Sequence, residues 1–192
     1  MKSTHSIDFP QSDSWLDGPL PVSPTVPSGW AGLERIMPSL VRLFCRNRES
    51  ALEFGVEYGY STSVLAQLFD EVHGVDWFKG DEHSNWREDY SDITIANLAH
   101  RSNITLWKES YQEYLATVAD NQRWDLIHVD VVHTFAATYE VGRWAADHSP
   151  VILFHDIEAF WPEVKQAVLQ IAEETNREVY LYPRCFGLGI LF

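Results

Sequence analysis

The sequence predicts an α/β fold built on a mostly parallel β-sheet. Short apolar runs rich in β-branched residues alternate with longer segments of helical periodicity, which is typical of parallel strands joined by helices. A glycine-bearing turn, Gly55 to Gly59, directly follows the first of these runs. Two strand-like segments at the end of the chain are close enough to form a hairpin, whose last strand would be antiparallel. We therefore expect helices on both faces of the sheet.

The predicted elements follow from these patterns in chain order. Strands are predicted over 51–55, 72–77, 104–109, 124–130 and 151–156, and the terminal hairpin over 178–182 and 188–192. Helices are predicted over 61–69, 85–100, 111–119, 134–146 and 158–176. An earlier amphipathic helix is predicted over 30–47, where apolar residues recur every three or four positions and Pro38 is expected to cause a kink.

The first 29 residues are predicted to be an irregular arm, followed by a single domain over 30–192. The arm contains five prolines, at positions 10, 19, 21, 24 and 27, and this density argues against regular structure. Trp15 and Leu16 are apolar, so we expect the arm to lie against the domain rather than to be wholly disordered.

Composition excludes several classes of protein. The 192 residues carry a formal net charge of -14, which disfavours binding to nucleic acid. No apolar run approaches the ~20 residues that span a bilayer, and residues 1–10 lack the pattern of a secretory signal, so a cytoplasmic location is expected. Cys45 and Cys185 are too few for a disulfide framework. The sequence is compatible with a monomer and with a homo-oligomer.

The most informative motif is Glu53-Phe54-Gly55-Val56-Glu57-Tyr58-Gly59-Tyr60-Ser61. Its glycines would let the backbone approach a ligand closely at a strand-to-helix turn, and Ser61 would open the helix. The spacing is neither the dinucleotide pattern nor a phosphate loop, so a nicotinamide oxidoreductase is disfavoured. Glu53 would repel a pyrophosphate but suits a ligand that carries an ammonium group.

This nonapeptide resembles the first motif of class I S-adenosylmethionine-dependent methyltransferases. The closest form is the Glu-x-Gly-x-x-x-Gly-Tyr-Ser pattern of the catechol O-methyltransferase group, and the resemblance covers residues of about 50 to 156. It implies a Rossmann-like sheet of seven strands and S-adenosylmethionine as the cofactor. A glycine-rich turn of an unrelated α/β protein is the simpler alternative.

Cofactor contacts are expected at the carboxyl ends of the strands, where ligands bind in such sheets. Asp76 ends the second run about 20 residues after the glycine turn, as a ribose ligand would. Trp77 is positioned to stack on the adenine, although a packed tryptophan fits the pattern equally well. The resemblance places Ser110 near the adenine, where a helix cap is the alternative. Asp130, which ends the fourth strand, is also assigned to the cofactor site.

A divalent metal site is predicted where the fourth and fifth strands end. Asp130, His155 and Asp156 would converge there as mainly oxygen ligands, which favours magnesium, with manganese as the second choice. In the relatives that the chain resembles, metal ligands come from these two strand ends. His155 departs from their usual acid or amide pair, so it would shift the preference towards manganese, iron or zinc, or would only support another ligand.

His133 is the predicted catalytic base. It occupies the position at which catechol O-methyltransferases carry a lysine that deprotonates the acceptor, and an unperturbed imidazole of pKa ~6.5 would accept that proton near neutral pH. The simpler interpretation of His133 and His155, as surface or core histidines, is disfavoured because both coincide with carboxylates at strand ends.

These residues favour a metal-assisted O-methyltransferase that acts on a small hydroxylated molecule such as a diol, catechol or sugar. The loops at 78–89 and 158–162, with Trp15 and Trp30, are candidates for a lid over the acceptor. Two alternatives remain: a related tailoring enzyme such as a hydroxylase, and a non-catalytic cofactor-binding module that docks a protein partner.

Overall fold

A computed structural model describes residues 4–8, 25–26, 28–80, 88–158 and 160–192. Its strands are β1 (Thr4–Ser6), β2 (Ser50–Phe54), β3 (Glu71–Asp76), β4 (Ile104–Lys108), β5 (Leu126–Val129), β6 (Ile152–Phe154), β7 (Val179–Tyr182) and β8 (Leu188–Leu191). Its helices are α1 (Met37–Phe44), α2 (Tyr60–Leu65), α3 (Ser91–Leu98), α4 (Tyr111–Thr117), α5 (Phe135–His148) and α6 (Pro162–Thr175), with a 3₁₀ turn at Leu33–Arg35.

All eight strands belong to one sheet, in the order β1-β7-β8-β6-β5-β2-β3-β4. Only β8 runs antiparallel to its neighbours, β6 and β7, so the predicted mostly parallel sheet with a terminal hairpin is confirmed. The residues that the structure describes form eight strands, one more than the predicted seven. The eighth strand is β1, which pairs in parallel with β7.

Helices cover both faces of the sheet, as predicted, because neighbouring strand residues point to opposite sides. In β2, Ala51 packs in the cluster with α1 and α2, whereas Leu52 packs in the cluster with α4, α5 and α6. In β5, Leu126 and Ile127 divide in the same way. The two apolar layers fix the orientation of every strand end that reaches the site.

Two predictions for the start of the chain were wrong. Residues 4–6 form an edge strand despite the prolines that follow, because pairing with β7 supplies hydrogen bonds that the local sequence does not indicate. The helix predicted over 30–47 begins only at Met37, and Pro38 occupies its first turn. A proline is tolerated there because the N–H that it lacks would have no helical partner, so no kink results.

Some predictions fall on residues outside those described. They include Trp15 and Leu16 of the arm, the first part of the helix predicted over 85–100, and most of the loop at 78–89. Within the described ranges, Ser28 and Gly29 of the predicted arm line the main cavity. Among the helices of the described residues there is no candidate for a membrane-spanning segment.

Candidate functional site

A cavity of about 800 Å³ opens at the carboxyl ends of the parallel strands. Backbone bonds continue the sheet into its floor: Asp130 N donates to Phe54 O over 2.9 Å, and His155 N donates to Val129 O over 3.2 Å. The strands therefore hold the first residue after β5 and the first after β6 in fixed positions. The volume lies within the ~300–1,000 Å³ of small-molecule and cofactor sites.

The glycine turn after β2 forms one wall, but its glycines are required by protein contacts. Gly55 lines the cavity with a φ of 88°, and a Cβ there would lie 1.8 Å from the backbone oxygen of Asp130. Gly59 has a φ of 90°, and its Cβ would meet the side chain of Leu98 at 2.8 Å. Ser61 is buried in α2 and, like Gly59, is not among the residues that line the cavity.

Asp76 supports the same turn from the end of β3 and also lines the cavity. Its Oδ2 accepts hydrogen bonds from Val56 N at 3.0 Å and Glu57 N at 2.9 Å. Its Oδ1 accepts one from Phe78 N at 2.6 Å. Burial raises the pKa of Asp76, and these backbone donors oppose that rise. A carboxylate has about four lone-pair positions, so Asp76 can anchor the turn and still accept from a ligand hydroxyl.

The prediction that Glu53 contacts a ligand is not met by its position in the structure. It is fully buried and is not among the residues that line the cavity. One carboxylate oxygen accepts from Thr62 Oγ1, and the other lies 2.8 Å from His128 Nδ1. The strand register explains the second contact, since β2 and β5 pair Glu53 directly with His128.

Replacing Glu53 with alanine is therefore expected to destabilise the fold. Removal of one member of a buried polar group leaves the others unpaired, so the free energy of unfolding should fall by about 3 kcal/mol in a denaturant titration. The matched control is Glu49→Ala, which removes an exposed carboxylate just before the same strand and should change stability by less than about 0.5 kcal/mol. Equal stability of the two variants would contradict a structural role for Glu53.

Trp77 and Ser110 both line the cavity. The Trp77 side chain is 48% exposed, so it offers a free aromatic surface. Ser110 is the N-cap of α4, where its hydroxyl and the Glu113 side chain form a reciprocal capping box. Ser110 therefore caps the helix, as the alternative interpretation predicted, and it also lines the cavity.

Two carboxylates and two histidines meet on the cavity floor. His133 Nε2 lies 2.7 Å from Asp156 Oδ2 and 3.6 Å from Asp130 Oδ1. His155 Nδ1 lies 3.1 Å from Asp130 Oδ2, which also accepts from Trp30 Nε1 at 3.2 Å. The strand ends therefore bring together all four residues that the sequence assigned to the metal and base.

The group with suitable geometry for a cation differs from the predicted ligand set by one residue. Asp130, His133 and Asp156 offer ligand atoms that all lie within 4.8 Å of one another. His155 instead faces Asp130 beneath the indole of Trp30, and its Nε2 is buried without a hydrogen-bond partner. His133 is held in place by Trp161, whose ring stacks on the imidazole at a centroid distance of 4.7 Å.

The charges of this cluster change the expectation for His133. Burial disfavours its charged form, but the carboxylates of Asp130 and Asp156 outweigh burial and raise the pKa of His133 to about 10. Burial likewise opposes the charge of Asp130, yet His155 and His133 hold its pKa well below the usual value. His133 is then an imidazolium near neutral pH, whereas the predicted base would need a neutral imidazole.

Sequence reasoning missed several aromatic residues in the lining, namely Tyr58, Tyr90, Tyr111 and Phe186. The tyrosines lie in or beside the predicted turn and helices, where their spacing carries no signal of a site. Phe186 lies in the terminal hairpin, far along the chain from the other lining residues. Only the folded chain brings it to the cavity.

Residues 52–157 match the family described as Methyltransferase domain. The chain belongs to this family. The matched range begins within β2, extends past the end of β6 and includes Asp130, His133, His155 and Asp156 of the cavity floor. It confirms the resemblance to class I S-adenosylmethionine-dependent methyltransferases. No curated protein matches the sequence.

Solved structures share the fold of this methyltransferase at low sequence identity. A Klebsiella pneumoniae protein provisionally named an O-methyltransferase is 18% identical, with a TM-score of 0.60, over 82% of this chain and 77% of that one. The Streptococcus mutans protein SMU.1697c, provisionally named a methyltransferase and solved with SAH, is 15% identical, with a TM-score of 0.60, over 80% and 93%. An rRNA methylase from Streptococcus thermophilus is 15% identical, with a TM-score of 0.56, over 82% and 93%. At these identities the likeness establishes the fold.

Proposed function

We propose that this methyltransferase transfers the methyl group of S-adenosylmethionine to a hydroxyl oxygen of a small molecule, assisted by a divalent cation. The convergence of Asp130, His133 and Asp156 on the cavity floor carries the proposal, since three ligand atoms within 4.8 Å of one another can share one ion. Two carboxylates and one imidazole suit Mg²⁺ or Mn²⁺.

The residues of the cavity fit the cofactor. Gly55 contributes backbone to the wall, Asp76 keeps lone pairs for ribose hydroxyls, and Trp77 offers an exposed ring for the adenine. When bound, S-adenosylmethionine supplies an electrophilic methyl group. Because such a displacement needs little covalent help, the main contribution of the protein is positioning.

The same floor fits a cation and explains how it would act. Asp130 Oδ2 is engaged by His155 and Trp30, so Oδ1, which faces His133, is the oxygen left for the ion. A cation held there by Asp130, His133 and Asp156 would orient an acceptor hydroxyl and lower its pKa. His155 would then support Asp130 through Nδ1 rather than bind the metal.

The proposal is tested by calorimetric titration of S-adenosylmethionine with and without Mg²⁺ or Mn²⁺, followed by methyl transfer to a neutral aromatic diol. We expect micromolar binding of the cofactor and transfer that stops when the cation is chelated. Binding without any transfer would favour the non-catalytic module, and the absence of cofactor binding would overturn the proposed function. Methyl transfer that continues after the cation is chelated would show that the reaction does not need the cation.

A further inference from the structure

Trp30 contacts the proposed cation site from a part of the chain that precedes the matched family range of 52–157. It lines the cavity, yet it is only 6% exposed, so it is a fixed part of the wall. Its indole Nε1 donates a hydrogen bond to Asp130 Oδ2 over 3.2 Å. The sequence indicated a lid for this tryptophan, whereas the structure places its N–H on a predicted metal ligand.

The hydrogen bond from Trp30 fixes the direction of the Asp130 carboxylate. Oδ2 accepts from Trp30 and lies 3.1 Å from His155 Nδ1. Oδ1 lies 3.6 Å from His133 Nε2, within the group that Asp156 completes. Because two partners hold one oxygen of the carboxylate, the other oxygen is directed towards the position that the ion would occupy.

The rings around Trp30 keep its indole on Asp130. The indole lies against the imidazole of His155 and meets His128 edge-on at a centroid distance of 5.6 Å. His128 is fully buried and lies 2.8 Å from Glu53, so it cannot easily give way. A tryptophan has only two side-chain torsions, and holding it in place costs little conformational entropy. Trp30 is therefore well suited to orient a metal ligand.

Residues 28–35, here called the Trp30 strap, connect the tryptophan to the helix that follows the glycine turn. Within the strap, Leu33 N donates to Trp30 O over 2.9 Å. Glu34 Oε2 accepts from the hydroxyl of Tyr60 over 2.7 Å in a buried contact. Tyr60 is the first residue of α2. The strap is thus anchored on one side by α2 and on the other by the cavity floor.

We infer, on the basis of the proposed function, that Trp30 is a positioning residue for the cation, because its indole N–H holds Asp130 Oδ2 and leaves Oδ1 to bind the ion. In this role Trp30 contacts neither the ion nor the methyl group and acts through Asp130. Loss of an outer hydrogen bond of this kind typically weakens metal binding by about 10- to 100-fold.

Trp30→Phe tests this role because it keeps an aromatic ring and removes the N–H donor. In calorimetric titrations of Mn²⁺ into the full chain, we expect an affinity at least about tenfold lower than that of the wild type. The matched control is Trp124→Phe. Trp124 is also buried, lies outside the cavity lining, and its Nε1 has no hydrogen-bond partner among the described residues. This control should leave the Mn²⁺ affinity unchanged.

Denaturant titrations of both variants separate positioning from folding. The expected result is a weaker Mn²⁺ affinity in Trp30→Phe, with a midpoint of unfolding no lower than that of Trp124→Phe. Equal Mn²⁺ affinity in Trp30→Phe and the wild type would overturn the inference. The same conclusion would follow if Trp124→Phe weakened Mn²⁺ binding as much as Trp30→Phe.

A second measurement, made without the cation and in proteins that retain Trp30, tests the hydrogen bond itself. Hydrogen exchange of the Trp30 indole N–H, followed by NMR, should become at least about tenfold faster in Asp130→Ala because the acceptor is lost. Asp156→Ala removes the neighbouring carboxylate, which lies against His133, and should leave this exchange unchanged. Equal exchange in the wild type and Asp130→Ala would contradict the positioning role.

Failure of this inference and failure of the proposed function give different results. If the wild type binds Mn²⁺ and Trp30→Phe binds it equally well, the positioning role fails while the cation-assisted reaction stands. If the wild type binds S-adenosylmethionine but not Mn²⁺, the cation is removed from the proposed function and the positioning role fails with it. Titrations of the wild type with each ligand distinguish the two cases.

Discussion

Replacing Gly55 with alanine is expected to destabilise the protein and abolish binding of S-adenosylmethionine. The new Cβ would lie 1.8 Å from the backbone oxygen of Asp130, and the φ of 88° is unfavourable for any side chain. Steric overlap and left-handed strain together should lower the free energy of unfolding by about 2–4 kcal/mol. Loss of binding follows because Asp130 cannot move without disturbing the cavity floor.

Gly29→Ala is the matched control for this prediction. Gly29 lines the same cavity, but its φ is not in the left-handed range, and a Cβ there would meet only a Phe186 ring carbon, at an ordinary 3.6 Å. Stability should change by less than about 0.5 kcal/mol. Chemical denaturation and calorimetry on both variants provide the measurement. A Gly55→Ala variant with normal stability and affinity would show that the turn and Asp130 are not tightly packed.

Removal of the His133 imidazole is expected to have the second largest effect. His133→Ala should lower kcat/KM by about 10²- to 10⁴-fold, the range associated with a lost catalytic group. If His133 is a metal ligand, the affinity of the His133→Ala variant for Mn²⁺ should also be lower, by about 100-fold or more. His100→Ala, at an exposed position outside the lining, should alter neither quantity.

The dependence of Mn²⁺ affinity on pH distinguishes the two roles of His133. Because its pKa is raised to about 10, binding of the ion to the imidazole must displace a proton at neutral pH. The apparent affinity should therefore increase with pH, up to about tenfold per unit below pH 10, and this slope should disappear in His133→Ala. Unchanged Mn²⁺ affinity with a low kcat would instead support the base that the sequence predicts.

The sequence alone predicts the sheet and most elements because the signals for them are local. Apolar runs and helical periodicity define β2 to β8 and the helices that follow them, and the structure confirms these elements with shifts at their ends. Local signals fail where long-range pairing decides. The edge strand β1 forms because it pairs with β7, and the paired residues Thr4 and Val179 are 175 positions apart in the sequence.

The candidate site divides in the same way. Strand ends identify Asp76, Asp130, His133, His155 and Asp156, because parallel strands deliver their carboxyl ends to one edge of the sheet. The direction of each side chain is not local. Asp156 has a φ of 55°, a turn of the backbone that the sequence does not reveal, and it lies against His133 while His155 faces Asp130.

Glu53 illustrates the boundary most clearly. The sequence alone showed its place in the glycine motif, and it also predicted the fold class, the family and the strand ends that carry carboxylates. The sequence did not predict the contacts of Glu53, because strand register and the packing of α2 determine that it contacts His128 and Thr62 inside the protein. Sequence determined which chemical groups are available near the cavity. Tertiary structure decided which of them face it, since side-chain direction depends on contacts between residues far apart in the chain.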